Sequence, residues 1–332
     1  MCHALPGRPR ISPHSDAWAA LLFQPTRDYV SSFNANHSLE ANHPFGESHD
    51  IADPPLADAL REPLVPQIVA CDAAPWSAAL CAREHLQGAT VGFPSRTEPA
   101  GNSDHHLAWT DPVRRGNWNC WLCARPGPPG ATIHVGALGF CAWDRRRRGD
   151  ELGSGTGCSN ARATDIEDAL GSIAASDFTR AEADPRHGTF GHALAVSALC
   201  ADTSFVYPAT ASDGKNTDVT PACARHLTRG QRPPEGTRLF LDRSDAQVDA
   251  LPLKPYVKAW LRTLDREHFG ATIVDTNWPG APGVSAAYRR DDFSAQAREA
   301  GVPSSALAQI PIELDSMRLA REIRFCASGD CR

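Results

Sequence analysis

Scarcity of large apolar side chains constrains this chain more than any other feature. Leu, Ile, Val and Phe together supply 62 of its 332 residues, about 19%. A fraction that low signals disorder when it accompanies a high net charge. Here 33 basic side chains nearly offset 39 acidic ones, for a formal charge of −6. The expectation is therefore a folded protein with a thin core. With 27 Pro and 25 Gly, turns and long irregular connections must take up much of the chain. The length suits one large domain or two ordinary ones.

The charge balance, with a pI near 6.1, gives no electrostatic reason to expect nucleic acid or an anionic membrane as partner. No run approaches 18 apolar residues, so no membrane span is expected. The opening residues MCHALPGRPRISPHSD hold no 7–15-residue apolar stretch, so no signal peptide is expected there. Eleven cysteines are spread along the chain without a framework spacing. The simplest expectation is free, partly buried thiols in a reducing compartment.

Residues 1–87 read as a poorly ordered arm. Asp53-Pro54-Pro55 and Arg61-Glu62-Pro63 interrupt regular structure there. Two short helices are expected, at Ala17–Phe23 and Ala78–Leu86. Regular elements dominate from 88 to 332. Ala131–Val135, running into Gly136–Phe140, reads as a strand with glycine breaks. Thr164 and Glu167 have the spacing of a capping box, and Ile166, Leu170 and Ile173 would follow on one helical face. Ala193–Leu199 and Ser204–Tyr207 suit buried strands.

The C-terminal third is clearest. Thr237–Asp242 and Ala271–Asp275 read as strands, each ending in a carboxylate. Between them Pro255 can open a helix at its first position, with Val257, Trp260, Leu261 and Leu264 as the apolar stripe. Strand, helix and strand in this order predict a βαβ unit. A further helix is expected at Asp292–Ala300 and a last strand at Ile310–Leu314.

Acids at the ends of parallel strands converge on one face, so Asp242 and Asp275 are the candidate catalytic pair, with Glu313 as a further candidate. Two carboxyl groups at the right separation divide the work of glycoside cleavage between proton donor and nucleophile or base. The plain alternative is that such acids cap helices and open turns. Tyr207 and Trp278 are candidates to stack on sugar rings. Cys120-Trp-Leu-Cys123 has the spacing of half a zinc site but lacks a second pair. Gly153–Gly157 lacks the strand before it and the Lys-Ser/Thr after it that a phosphate loop requires. The reading calls for no metal and no cofactor.

Three stretches resemble the glycoside-hydrolase-like barrel domains of secreted bacterial proteins, distant relatives of phage-type muramidases. They are Val91–Pro99 with Trp109, Phe178–Asp184 through Ala193–Val196, and Glu235–Asp242 with Tyr256 and Ala259-Trp260. Pro94 stands where that family's first strand carries an aspartate, and Asp242 matches its acidic strand end. The resemblance implies an α/β fold, a distorted (β/α)8 TIM-like barrel over 88–332, and export from the cell. It implies a protein that cleaves or binds a polysaccharide such as cell-wall glycan. Loss of the first acid favours a non-catalytic carbohydrate-binding or structural barrel, and a Cys/His metal-binding protein is the third alternative.

Overall fold

The computed structural model describes residues 4–22, 48–52, 63–82, 85–95, 99, 105–142, 161–162, 164–167, 170–171, 175–184, 187–198, 201–214, 231–276, 284–286, 288–289 and 322–327. The described helices are α1 (Ser15–Leu22), α2 (Ser77–Ala82), α3 (Ala175–Ala183), α4 (Asp245–Asp249) and α5 (Pro255–Leu264). The strands begin with β1 (Ser48–Ala52), β2 (Leu64–Cys71), β3 (Thr90–Pro94), β4 (Leu107–Asp111), β5 (Gly116–Trp121), β6 (Thr132–Val135) and β7 (Ala137–Ala142). They continue with β8 (Leu194–Ala198), β9 (Asp202–Phe205), β10 (Pro234–Glu235), β11 (Arg238–Leu241), β12 (Ala271–Thr276), β13 (Val284–Ala286), β14 (Tyr288–Arg289) and β15 (Ile323–Phe325).

The first half, joined by β14 from the C-terminal third, builds a sandwich. β2 lies between β3, antiparallel to it, and β6, parallel to it. The facing sheet runs β14-β1-β4-β5-β7, with β4, β5 and β7 forming an antiparallel meander. One core joins the two sheets: Val69, Val91, Phe93 and Ile133 meet Leu107, Trp109, Trp118 and Leu138. The Trp109 indole N–H crosses it to the Gly92 carbonyl at 2.9 Å. Asp111 holds the β4–β5 turn, because its carboxylate accepts the N–H groups of Val113 and Arg114 and the Trp118 indole N–H. This self-bonding is what a short acidic side chain does at a turn. β2 belongs by sequence to the stretch expected to be an arm, and it is the central strand of its sheet.

The second half is a sheet ordered β13-β8-β12-β11-β15. One core gathers Trp18 of α1, Phe178 of α3, Val248 of α4, Val257 and Leu261 of α5, and Leu194, Leu239, Ile273 and Phe325 of the sheet. α5 forms as its sequence dictates: Pro255 opens it after an extended Lys254, and Val257, Leu261 and Leu264 are buried while Trp260 packs partly buried. α1 is tied to β15, since Ser12 N–H donates to the Phe325 carbonyl and the Ser15 hydroxyl accepts the Phe325 N–H.

The expected TIM-like barrel is not what forms. The described strands make separate small sheets with no closed ring among them, and β11 runs antiparallel to both β12 and β15. The expected βαβ unit fails for a specific reason. Two helices, not one, connect β11 to β12. A pair of helices returns the chain to the end it left, as the Leu241–Asp265 bridge records. A return to the same end makes the next strand antiparallel.

Two smaller expectations are also corrected. No helix begins at Thr164: the segment is irregular, Asp165 takes a positive φ of 59° and the Thr164 hydroxyl donates to the Val274 carbonyl. The stretch 131–140 is two strands in different sheets, with the break at Gly136. The capping box lies instead at Ser244 and Gln247, opening α4. The helix expected at 292–300 and the strand expected at 310–314 lie outside the described residues.

Candidate functional sites

At the C-terminal end of β11 the chain assembles charged groups from three turns. Asp242, the principal candidate acid, is half-buried. Arg266 donates to its Oδ1 at 3.1 Å and Arg324 Nε lies 3.9 Å from its Oδ2. Beside it the Arg243 guanidinium is bidentate to Glu322, at 2.6 and 2.7 Å, and this raises the Arg243 pKa. Asp242 is thus part of an ion-pair lattice joining β11, the turn after α5 and β15.

Behind this lattice sits a group not anticipated from sequence. Asp245 lies in the first turn of α4, Asp265 caps the C-terminus of α5, and His268 follows three residues later. The Asp265 side chain is fully buried, 0% exposed. Its Oδ1 accepts the Glu267 N–H at 2.8 Å and lies 3.0 Å from His268 Nδ1. His268 Nδ1 is also 3.5 Å from Asp245 Oδ1. Desolvation lifts the Asp265 carboxyl pKa to about 6, against the opposing pull of His268 and the Glu267 N–H. The hydrogen bond to Asp265 raises the His268 pKa.

The other candidate acid is elsewhere. Antiparallel pairing sets Arg238 opposite Thr272, so Asp242 follows one end of the β11–β12 pair and Asp275 lies toward the other. From the paired Arg238 and Thr272 the chain runs four residues to Asp242 and, in the opposite direction, three residues to Asp275, a separation of up to about 23 Å at 3.3 Å per residue. Glycosidase carboxyl pairs stand about 5–9.5 Å apart. Tyr207 is 43% exposed and follows β9, whose partner β10 precedes β11. It therefore shares the Asp275 end of the sheet. Trp278 and Glu313 lie outside the described residues.

A second site lies on the sandwich. Cys71 and Cys81 form a disulfide that closes a loop carrying Asp72 and Trp76. Trp76 is 57% exposed and stacks on Trp121, with ring centroids 6.1 Å apart and planes 18° from parallel. Asp72 Oδ1 meets His134 Nδ1 at 2.8 Å, both side chains more than half exposed. His134 stands opposite Ala70 in the β2–β6 pair, and the Gly136 N–H donates to the Trp121 carbonyl, so backbone bonds bring these four residues to one end of the sandwich.

Cys120 and Cys123 are joined to each other and buried, which corrects the free-thiol expectation and removes the half zinc site. All six described cysteines (Cys71, Cys81, Cys120, Cys123, Cys141 and Cys326) are disulfide-bonded. The Trp121 signal was visible in sequence as part of the Cys120–Cys123 stretch, but only as a spacer between sulfurs. Among the described residues no helix is long and apolar enough to cross a membrane. No protein-family model, curated protein or solved structure matches this chain.

Proposed function

We propose that this protein binds a glycan on the Trp76–Trp121 surface and does not cleave it. The observation that carries the reading is an exposed Trp76 ring stacked on the half-buried Trp121, beside an exposed Asp72–His134 pair. An indole face offers a flat apolar platform for the C–H face of a sugar ring, and a carboxylate with an imidazole beside it can bond the ring hydroxyls. The Cys71–Cys81 link restrains the loop bearing Trp76 and Asp72, so less freedom is lost on binding. Disulfides at every described cysteine suit an oxidising compartment or the cell exterior, where structural polysaccharides are met. Two facts support binding over cleavage: Asp242 is engaged by two arginines, and Asp275 lies toward the opposite end of the strand pair.

The test is co-sedimentation of the full chain with insoluble chitin, cellulose and peptidoglycan, alongside a reducing-end assay. Retention on at least one glycan without release of reducing ends is expected. Trp76→Ala should lower retention about tenfold or more, the range for losing one central aromatic anchor. Retention on none of the three, or retention unchanged in Trp76→Ala, refutes the reading.

A further inference from the structure

We infer that Asp245, Asp265 and His268 form a binding site for a divalent transition-metal ion of the zinc or manganese kind. The inference is independent of the glycan surface, which lies on the other core. One donor atom from each of the three side chains lies within 4.8 Å of the other two. The spacings are 3.0 Å from His268 Nδ1 to Asp265 Oδ1 and 3.5 Å to Asp245 Oδ1. Two donors each about 2.1 Å from one ion stand about 3.0 Å apart at a right angle and about 3.4 Å apart at a tetrahedral angle. Both spacings are therefore those of neighbouring ligands around one small cation.

A second observation points to a ligand. Asp265 is 0% exposed, and its Oδ2 is buried with no hydrogen-bond partner. Asp245 Oδ1 is likewise a buried atom without a hydrogen bond. A buried carboxylate oxygen without a hydrogen bond is costly, and a cation held by these two carboxylates lowers that cost. The chain holds the donors in place before any ion arrives. Ser244 and Gln247 cap the helix that carries Asp245, and the Asp245 N–H donates to Glu267 Oε2 at 3.0 Å. The Leu241–Asp265 bridge anchors the other end.

Donor chemistry selects the ion. Two carboxylates and one imidazole, with no thiolate, disfavour soft ions such as Cu(I), and three donors including a nitrogen are poor for Ca2+, which takes six to eight oxygens. Zn2+ and Mn2+ accept mixed nitrogen and oxygen donors. Three protein donors leave at least one position for water. His187, exposed and with Nδ1 3.8 Å from Asp245 Oδ2, is placed to contribute a second imidazole.

The test uses the full chain, stripped with a chelator, dialysed, and titrated calorimetrically with Zn2+ and separately with Mn2+. Saturable binding of one ion per chain at this site is expected for at least one metal, together with a raised thermal unfolding midpoint. Asp245→Asn and His268→Gln should each weaken that binding about 100-fold or more, beyond the loss typical of altering a group that only orients a ligand. Asp265→Asn should abolish it, but its burial means it can also fail to fold, so the decision rests on the two partly exposed positions. No saturable binding of either ion by folded wild type, or unchanged affinity in both Asp245→Asn and His268→Gln, overturns the inference and leaves an Asp265–His268 hydrogen bond with Asp245 as a neighbouring charge.

Discussion

The sandwich and the helix-covered sheet solve the same shortage of aliphatic residues in different ways. The sandwich core is aromatic and cross-linked. Phe93, Trp109, Trp118 and Phe140 follow one another at centroid separations of 4.6–6.1 Å, and five of the six described disulfide cysteines lie in or beside its strands. The C-terminal core draws on Leu, Ile, Val and Phe from three helices and four strands, with Trp18 added by α1. Large rings bury much area per residue, and covalent links limit the unfolded chain, so a thin core can hold without many branched aliphatics. The candidate sites differ too, with the exposed Trp76 ring on the sandwich and the buried Asp265 carboxylate on the helical half.

If the comparison holds, substitutions should separate by region. The largest effect is expected from Trp109→Ala, which removes a fully buried ring from the sandwich and should cost about 3–5 kcal/mol. Leu261→Ala, in the helical core, should cost about 2–5 kcal/mol. Denaturant unfolding followed by indole fluorescence and by far-ultraviolet circular dichroism should show whether each change moves one transition or both. Two transitions, each moved by its own variant, sharpen the contrast, whereas one shared transition breaks it. The double change Cys71→Ser and Cys81→Ser opens a loop of about ten residues and should cost about 3 kcal/mol on the chain-entropy view. An effect below about 0.5 kcal/mol there would show that the staple does little for the sandwich.

A smaller effect concerns the buried charges. In chelator-treated protein the folded chain holds the Asp265 proton up to about pH 6, against 3.8 for the unrestrained group, and the His268 pKa is also raised. Asp245 and Glu267 add negative potential at His268, and His187 faces Asp245. The folded state therefore binds more protons across this range. Its contribution to stability is present at low pH and is lost as pH rises from about 4 through the His268 pKa. The destabilisation caused by His268→Gln should be greater at pH 5 than at pH 8, read from denaturant midpoints. An equal effect at both pH values would contradict the coupling. Smallest of all, Trp76→Ala should change stability by no more than about 0.5 kcal/mol, because the ring is mostly exposed.

Much of the C-terminal half is legible in the sequence. Short apolar runs mark β11 and β12, and Pro255 with its apolar stripe marks α5, because local pattern alone decides those elements. Strand direction is not legible, since it turns on α4, five residues whose only sequence signal is Ser244 with Gln247. Read as a turn, that segment leaves one helix and implies a parallel return. Read as a helix, it reverses β12 and separates Asp242 from Asp275. The Asp245–Asp265–His268 group is hidden for the same reason, because the α4–α5 pair brings together residues 20 apart. Cysteine pairing is equally silent, as Cys71 and Cys81 owe their approach to β2 and α2 and not to a recognisable spacing.

The proposed binding at Trp76, without cleavage, is open to a single decisive experiment. Its most direct test is a fluorescence titration of the full chain with a soluble oligosaccharide from whichever glycan retains it, with sugar release followed in the same samples. The expected result is a saturable change in indole emission that Trp76→Ala removes and Asp242→Asn leaves intact, with the oligosaccharide recovered whole. Sugar release that disappears in Asp242→Asn and persists in Trp76→Ala would contradict it.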